Sequence, residues 1–445
     1  MKILFVCPYA PTVIRTRPYH LLRVLAQRGH YVMLATVWES DQERAALKEL
    51  ENLGLSVTAE RLTRSRAAAN VLQALLTSRP MQSRYCWVPG LGRQIQSQIQ
   101  SSATVFDIVH VEHLRGAEYG WTAQSACAHS GRPIPVVWDS VDCISLLFEQ
   151  AAQQGQSRRG RWIARVELPN TRRYEGRAVR QFDRVLATSK LDQAALEKLA
   201  QAGGARTNGG TPTSGGTPTS GGAPSPARRQ RGPAIRPANP LGTVRVLPNG
   251  VDLDYFAPAG EARDPATVVL SGKMSYHANV AAAHRLIDSV MPHVWAQRPD
   301  VKVNIVGSAP TADVQALADR HAPRVAVTGH VPDVRPYLQT ATLAVAPLAY
   351  GAGIQNKVLE AMACATPIVA SPQALAALEA LPAEAALVAD GPQDFAREML
   401  RLLGDAQLRQ AVGRQGRAYV SAHHDWSAIV SGLEDIYHEL LSAPA

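Results

Sequence analysis

No apolar run in this chain approaches the roughly 18 residues that a bilayer-spanning helix requires, so the sequence offers no transmembrane segment. The opening MKILFVCPYA is apolar only from Ile3 to Cys7, and no small-residue cleavage site follows. It reads as a first buried strand rather than a secretion signal. Cysteine is scarce: Cys7, Cys86, Cys127, Cys143 and Cys364 are an odd number, without a CxxC pair or metal-ligand spacing. That argues against a disulfide framework or a zinc site and predicts reduced, small apolar side chains in a cytoplasmic protein.

What the chain does have is length and alternation. Its 445 residues predict two or three domains at roughly 100–200 residues each. A hydrophobic content of 46% can fill large cores, and 46 basic against 37 acidic residues leave a formal charge of +9. That excess favours anionic partners (nucleotides, phospholipid headgroups or nucleic acid) without bearing on fold. Short apolar runs alternate with longer helical patterns, as βαβ units and parallel sheets require. Strands are expected at Ile3–Val6, Val32–Thr36, Ile108–Val111, Val136–Trp138, Val185–Ala187 and Val244–Leu247. A second set is expected at Val268–Ser271, Val303–Val306, Val325–Thr328, Leu343–Ala346 and Ile368–Ala370. Two sets separated by a break predict an α/β chain of two doubly wound domains.

Residues 203–242 are of different composition. TPTSGG occurs twice in tandem from Thr211 to Gly222, and a Pro/Arg-rich tail with ARRQRGP follows. Such a stretch cannot bury enough apolar surface to offset its ordering entropy, so it is expected to be disordered, roughly 35 Å end to end as a coil. It reads as an insertion in a loop, because the strand at Val244–Leu247 still has to complete the first sheet. The hinge is expected at NGVDLDYFAP, Asn249–Pro258. These features divide the chain into residues 1–250, residues 251–423 and a final amphipathic helix at 424–445 with Trp426, Ile429, Leu433 and Ile436 along one face.

The most informative run is GAGIQNKVLEAMACATPIVAS, Gly351–Ser371. It reads as a glycine-bearing loop, a helix opening near Gln355 or Asn356, and a buried strand. Glycines such as Gly353 let a ligand approach the backbone. A helix N-terminus offers unpaired N–H groups and a partial positive charge. Lys357 adds a cation suited to phosphate, and Glu360, one turn on, can accept hydrogen bonds from hydroxyls. Phosphate beside vicinal hydroxyls describes a nucleotide-sugar. The blander alternative is an αβ unit packed for stability, with Leu359 and Met362 as core.

Taken together, RPYHLLRVLAQRGHYV, LPNGVDLDYF, SGKMSYHANVAAA, VTGHVPDVRPYLQTATLAVAPL and GIQNKVLEAMA make the chain resemble the retaining glycosyltransferases of family 4. The last run is especially similar to a subgroup of sugar transferases of bacterial exopolysaccharide and exosortase systems. The resemblance covers nearly everything except the insert. It implies the GT-B architecture, two Rossmann-like domains facing across a cleft, with the C-terminal helix crossing back to the first domain. It also implies a hexosyltransferase-type activity that moves a sugar from a nucleoside diphosphate to a polysaccharide, lipid-linked or similar acceptor. No cofactor beyond that donor is implied.

Carried over residue by residue, the resemblance gives Glu360 the ribose hydroxyls. Most family members have an earlier glutamate, separated from it by seven residues, where this chain has Ala352, so Asn356 and Lys357 would share the contact to the donor sugar, with Gln355 beside them in the nucleotide-sugar site. Gly272 and Lys273 follow the first strand of the second domain, at the sheet end where ligands of open α/β sheets bind. Lys273 and Lys357 would flank the diphosphate and stabilise the charge of the leaving group. That arrangement, with no DxD-type pair in a convincing loop, implies metal independence. Val331 marks the backbone that would hold the base. Asn279 either caps a helix or lies near the phosphates.

In the first domain His110, Glu112 and His113 would end a strand facing the cleft, and the resemblance makes His113 and Glu112 the candidates for polar contact to the sugar; the blander alternative is a surface His113 with His110 packed in the core, and a one-residue slip would exchange the faces. Asp139 and Asp142 would orient an acceptor hydroxyl or cap the next helix. Arg15 and Arg17 would overhang the cleft from a loop where relatives have a glycine pair. The absence of paired carboxylates fits transfer better than hydrolysis.

The arginine-rich Arg158–Arg180, helical patterns interrupted by Pro169, would lie on an anionic membrane surface or bind a lipid-pyrophosphate acceptor, unless it is only a solvated face. Nucleic acid is not expected, since no recognition motif or stacking platform accompanies the charge. The rivals are a non-catalytic nucleotide-sugar-binding scaffold and a nucleotide-sugar epimerase.

Overall fold

The computed structural model describes the chain except residues 14, 78, 102, 132, 155–157, 205–242, 261–262, 352 and 443–445. The repeated TPTSGG segment and Ala352 therefore lie outside the described residues.

Seven parallel strands make the first sheet: β1 (Lys2–Cys7), β2 (Tyr31–Trp38), β3 (Ser56–Arg61), β4 (Ile108–Glu112), β5 (Val136–Asp139), β6 (Arg184–Ala187) and β7 (Val244–Val246), in the order β3-β2-β1-β4-β5-β6-β7. The second holds β8 (Thr267–Ser271), β9 (Lys302–Val306), β10 (Val325–Val327), β11 (Leu343–Ala346), β12 (Ile368–Ala370) and β13 (Leu387–Val388), in the order β10-β9-β8-β11-β12-β13. Every strand pair is parallel. All eleven expected strands are present. Both sheets reverse their winding direction once, between β1 and β4 and between β8 and β11, and a crevice opens at the carboxyl ends of such neighbours.

The central strands are buried throughout, as sheets covered by helices on both faces demand. The two strands that escaped the sequence reading are edges: β3 is half-exposed along its length, and β13 has only two residues. The helix Arg158–Gln181 runs through Pro169 without a break, so the expected interruption does not occur. Its neighbours hold it: Thr171, Tyr174, Glu175 and Ala178 are buried in the first domain, and tertiary packing outweighs the one backbone bond that proline removes.

The chain passes between domains at Asn249–Val251, where Val251 N–H donates to the His424 carbonyl (2.8 Å). The last helix, Trp426–Ser442, returns to the first domain as the fold expectation held. Trp426, Ile429, Val430, Leu433 and Tyr437 share a core with Ile3, Phe5, Leu21 and Leu34, and the Tyr437 hydroxyl lies 2.8 Å from His110 Nδ1. A third seam joins the domains, because Ala151, Ala152 and Ala164 of the first pack into the core around Val358, Leu359 and Met362 of the second.

Candidate active site

In the second domain the loops after β8 and β11 meet. β8 ends at Ser271, and Gly272 follows at φ 141°, a conformation that side chains strain to adopt. A methyl group there would sit 2.8 Å from Asn279 Nδ2 and 3.2 Å from Lys357 Cε. β9 ends likewise in Gly307 (φ 155°), where a methyl would lie 1.7 Å from the Gly272 carbonyl oxygen. The two glycines thus bring their backbones into contact and draw Lys357 over the loop. Asn279 donates from Nδ2 to the Lys273 carbonyl (3.0 Å) and ties the loop to the next helix. Its Oδ1 is buried without a partner, and it does not cap the helix, whose N-cap is Tyr276. Lys273 is exposed and pairs with no acid among the described residues.

After β11, the helix Asn356–Ala363 buries Val358, Leu359 and Met362 and leaves Lys357 and Glu360 half-buried on the opposite side. Lys357 Nζ donates to Gln355 Oε1 (3.3 Å). Burial pushes the Lys357 ammonium down to about 8, which the Glu360 charge only partly offsets. Burial likewise pushes the Glu360 carboxyl up to about 7 against the pull of Lys357. Among the described residues neither group sits in an ion pair, and an anionic ligand would restore Lys357 to its ordinary range. Val331, half-buried, packs on the core beneath this helix.

The first domain closes on the same loop. Gly351 N–H donates to Gln150 Oε1 (3.1 Å), and Asn356 Nδ2 donates to Thr16 Oγ1 (3.0 Å). Gly353 (φ 65°) lies so near Asp142 that a methyl on it would be 1.9 Å from Oδ1. Burial and then the neighbouring Asp192 push the Asp142 carboxyl up to about 7, and its Oδ1 accepts from the Thr188 hydroxyl (3.3 Å).

Other expected site residues are held inside. Arg17 is not in a loop over the cleft: it lies in the first turn of the helix Thr16–Gln27 and is buried. Its guanidinium grips Asp139 (Nε–Oδ2 2.9 Å, Nη2–Oδ2 2.7 Å) and donates to the Pro248 carbonyl and Asn249 Oδ1. Nη2 meets Asp139 as an ion pair and has no hydrogen-bond partner among the described residues, but the cation is committed to balancing the buried Asp139 carboxylate. Burial alone would raise the Asp139 carboxyl, but Arg17 and His110 outweigh it and hold it at about 2. Arg15 stands at the N-cap position of the same helix without a side-chain capping bond and pairs with Glu43 (2.9 Å).

Glu112 does not face the cleft either. It is 1% exposed, accepts from the Tyr9 hydroxyl (2.9 Å), and is pushed up to about 8 by burial and then by Asp139. His113 is half-buried at φ 64°, where β4 turns into the helix His113–Ser130. The Trp138 indole donates to its carbonyl (3.2 Å). Its Nδ1 accepts from Arg115 N–H (3.2 Å), and burial, then Arg115, hold the imidazole down at about 3, a neutral ring with its proton on Nε2.

Sequence reasoning missed Gly307, Gln150, Thr16, Asp192 and Tyr9. Only Gly307 left a signal: it follows VNIV as Gly272 follows VVLS. The others act across the cleft or behind it, from positions far away along the chain.

Residues 265–405 match the family model of the glycosyl transferases group 1. Among curated relatives, the GDP-mannose-dependent monoacylated alpha-(1-6)-phosphatidylinositol monomannoside mannosyltransferase of Corynebacterium glutamicum is 31% identical over 212 residues, 44% of this chain and 56% of that protein. The phosphatidyl-myo-inositol mannosyltransferase of Mycobacterium tuberculosis is 28% identical over 225 residues, 46% of this chain and 57% of that one. The chain thus spans about half the length of the curated relatives it matches. Among solved structures, sucrose-phosphate synthase of Thermosynechococcus elongatus superposes over 100% of both chains with a TM-score of 0.64 at 18% identity. HepE of Anabaena with UDP and glucose covers 99% of this chain and 100% of that one, TM-score 0.62 at 15% identity. At those identities the likeness is one of fold. The chain therefore has the GT-B architecture of these structures, and its second domain, where Gly272 and Lys357 meet, carries the group 1 glycosyltransferase match.

Proposed function

We propose that this protein is a retaining, metal-independent glycosyltransferase of family 4, of the exopolysaccharide type. It moves a sugar from a nucleoside diphosphate to a polysaccharide or lipid-linked acceptor and needs no other cofactor. The observation that carries this is the convergence of Lys357 on the Gly272 turn, beside the N-terminus of the helix Asn356–Ala363 and next to the unpaired Lys273. Two cations and a helix terminus around a glycine-lined turn form a diphosphate receptor. Glu360 lies one turn further along the same helix and is the group to accept from ribose hydroxyls.

As the glycosyl bond breaks, Lys273 and Lys357 stabilise the negative charge that gathers on the departing diphosphate. The acceptor proton passes to a leaving phosphate oxygen, so no protein base is required. His113, neutral with Nε2–H free to donate, is the polar contact to a sugar hydroxyl. Gln355 and Asn356 take the place of the absent glutamate at Ala352. The arginine-rich helix Arg158–Gln181 meets an anionic membrane surface, as a lipid-linked acceptor requires. No described helix is long and apolar enough to cross a membrane, and the reading places the protein in the cytoplasm, peripheral to that surface.

One curated relative is named GDP-mannose-dependent, whereas HepE was solved with UDP and glucose, so the donor test spans bases. UDP-, GDP-, ADP- and dTDP-sugars are added without metal, and melting is followed. A ligand at 100 times its Kd adds about 2.7 kcal/mol of stability. One donor should raise the melting temperature, an effect lost in Lys357→Ala and Glu360→Ala. Release of the nucleoside diphosphate with retention at the anomeric carbon then separates an enzyme from the rival that Ala352 favours, a binding protein without turnover. No shift with any donor rejects the receptor.

A further inference from the structure

Two helices of the first domain carry their large apolar residues on the outside. Arg64–Leu76 buries only Ala67, Asn70 and Ala74, while Leu72, Leu75 and Leu76 are 61%, 58% and 80% exposed. A helix made for the core would present leucines inward and alanines outward. Arg158–Gln181 leaves Trp162 66% and Val166 47% exposed. Arg165, Pro169 and Arg173 continue that stripe at three- and four-residue spacing, all exposed.

Outward-facing charge on these helices has one sign. Between Glu60 and Asp107 the chain has six arginines, no lysine and no acid. Arg64 and Arg66 pair with no acid among the described residues, and they stand in the first helical turn, where the macrodipole disfavours cations. Helix stability therefore does not account for them. On the second helix both acids turn inward: Glu167 accepts from Met81 N–H (2.8 Å), and Glu175 accepts from Ile144 N–H (2.7 Å) and Ser145 N–H (3.1 Å). The helix's own outward charges are all arginine, and of these Arg172 pairs with Glu149 of the preceding helix (2.8 Å) while Arg165 and Arg173 face outward without an acid among the described residues. The Glu167–Met81 bond also places the chain just beyond Leu76 against the residue next to Val166.

We propose that these two helices are a docking face for an anionic lipid bilayer, Leu72, Leu75, Leu76 and Trp162 entering the headgroup boundary while the arginines hold lipid phosphates. The charge selects this occupant over a second copy of the chain, since two such faces would set arginine against arginine. The inference deepens the reading of a lipid-linked acceptor, yet it stands or falls without donor or turnover.

The test uses the full chain and sedimentation with vesicles of phosphatidylcholine, alone or mixed with phosphatidylglycerol. Binding is expected only to the mixed vesicles, with a blue shift of tryptophan emission that Trp162→Phe abolishes. Replacing Leu72, Leu75 and Leu76 by Ser should lower partitioning about tenfold or more. Arg165→Gln with Arg173→Gln should remove much of the dependence on phosphatidylglycerol. All these positions are exposed, so the donor-induced melting shift serves as a folding control and reports the other site separately. Equal binding to both vesicles, binding unchanged in the Ser and Gln variants, or no binding by a protein that still responds to donor would overturn the proposal. So would a dimer that the leucine variant disperses, which would assign the face to a second copy.

Discussion

The two walls of the cleft handle charge in opposite ways. On the first-domain wall the charges are largely paired within the protein, Arg17 with Asp139 and Glu112 with Tyr9, while His113 accepts from the Arg115 N–H and keeps its Nε2–H to donate. On the second-domain wall they are left open, with Lys273 exposed and unpaired, Lys357 and Glu360 half-buried away from their ordinary ranges, and Asn279 Oδ1 without a partner. A group satisfied internally contributes to stability and shape. One held dehydrated and unsatisfied is a receptor, because a ligand can supply what the protein withholds.

The hardest test of that contrast is Arg17→Ala. It leaves the buried Asp139 carboxylate without its arginine, with only His110 and the Val141 N–H beside it, and the expected loss is about 3–5 kcal/mol in urea unfolding, with Arg17→Met plus Asp139→Asn recovering part of it. A variant of unchanged stability that loses only donor affinity would make Arg17 a receptor and erase the distinction. Lys357→Ala should do the reverse, lowering kcat by about 10²–10³ while unfolding changes little. The same lysine sets a pH window. Donor binding should rise as Glu360 ionises near 7 and fall as Lys357 loses its proton near 8. Lys357→Arg should extend the alkaline limb.

A third variant sharpens the contrast from the structural side. With its carboxyl raised to about 8, Glu112 keeps a proton in the folded protein that the unfolded chain releases near 4.5. Its contribution is therefore present at low pH and is lost as pH rises from the lower value through 8. Glu112→Gln should match the parent melting temperature at pH 5 and exceed it by several degrees at pH 8. The smallest effect belongs to Lys273→Ala, about tenfold in donor KM with no change in melting, since an exposed cation gives a charge-assisted contact and no packing.

The helices and central strands were legible because their signals are local. An apolar run such as VVLS or LAVA announces a buried strand wherever it is placed. β3 and β13 were not legible, because an edge strand needs no apolar run when one side meets solvent. Lys357 and Glu360 were found from a helical spacing that holds for any helix. Arg17 was misplaced because its setting depends on Asp139, 122 residues later, and on Asn249 beyond that. Glu112 and His113 were named as a pair, but which of them meets the cleft turned on where β4 ends, a matter of one residue.

Order along the chain was thus enough to establish two parallel sheets, the crevice at their switch points, and the loop in which a lysine and a glutamate follow a helix N-terminus. These rest on periodicity, backbone chirality and helix polarity, which act over a few residues. Folding in three dimensions settled which charges would be neutralised and which left for a ligand. Desolvation and pairing depend on distances between residues that sequence separates by a hundred or more, so Arg17 became a strut and Lys357 stayed open, although each is a basic residue in the first turn of a helix beside the same cleft.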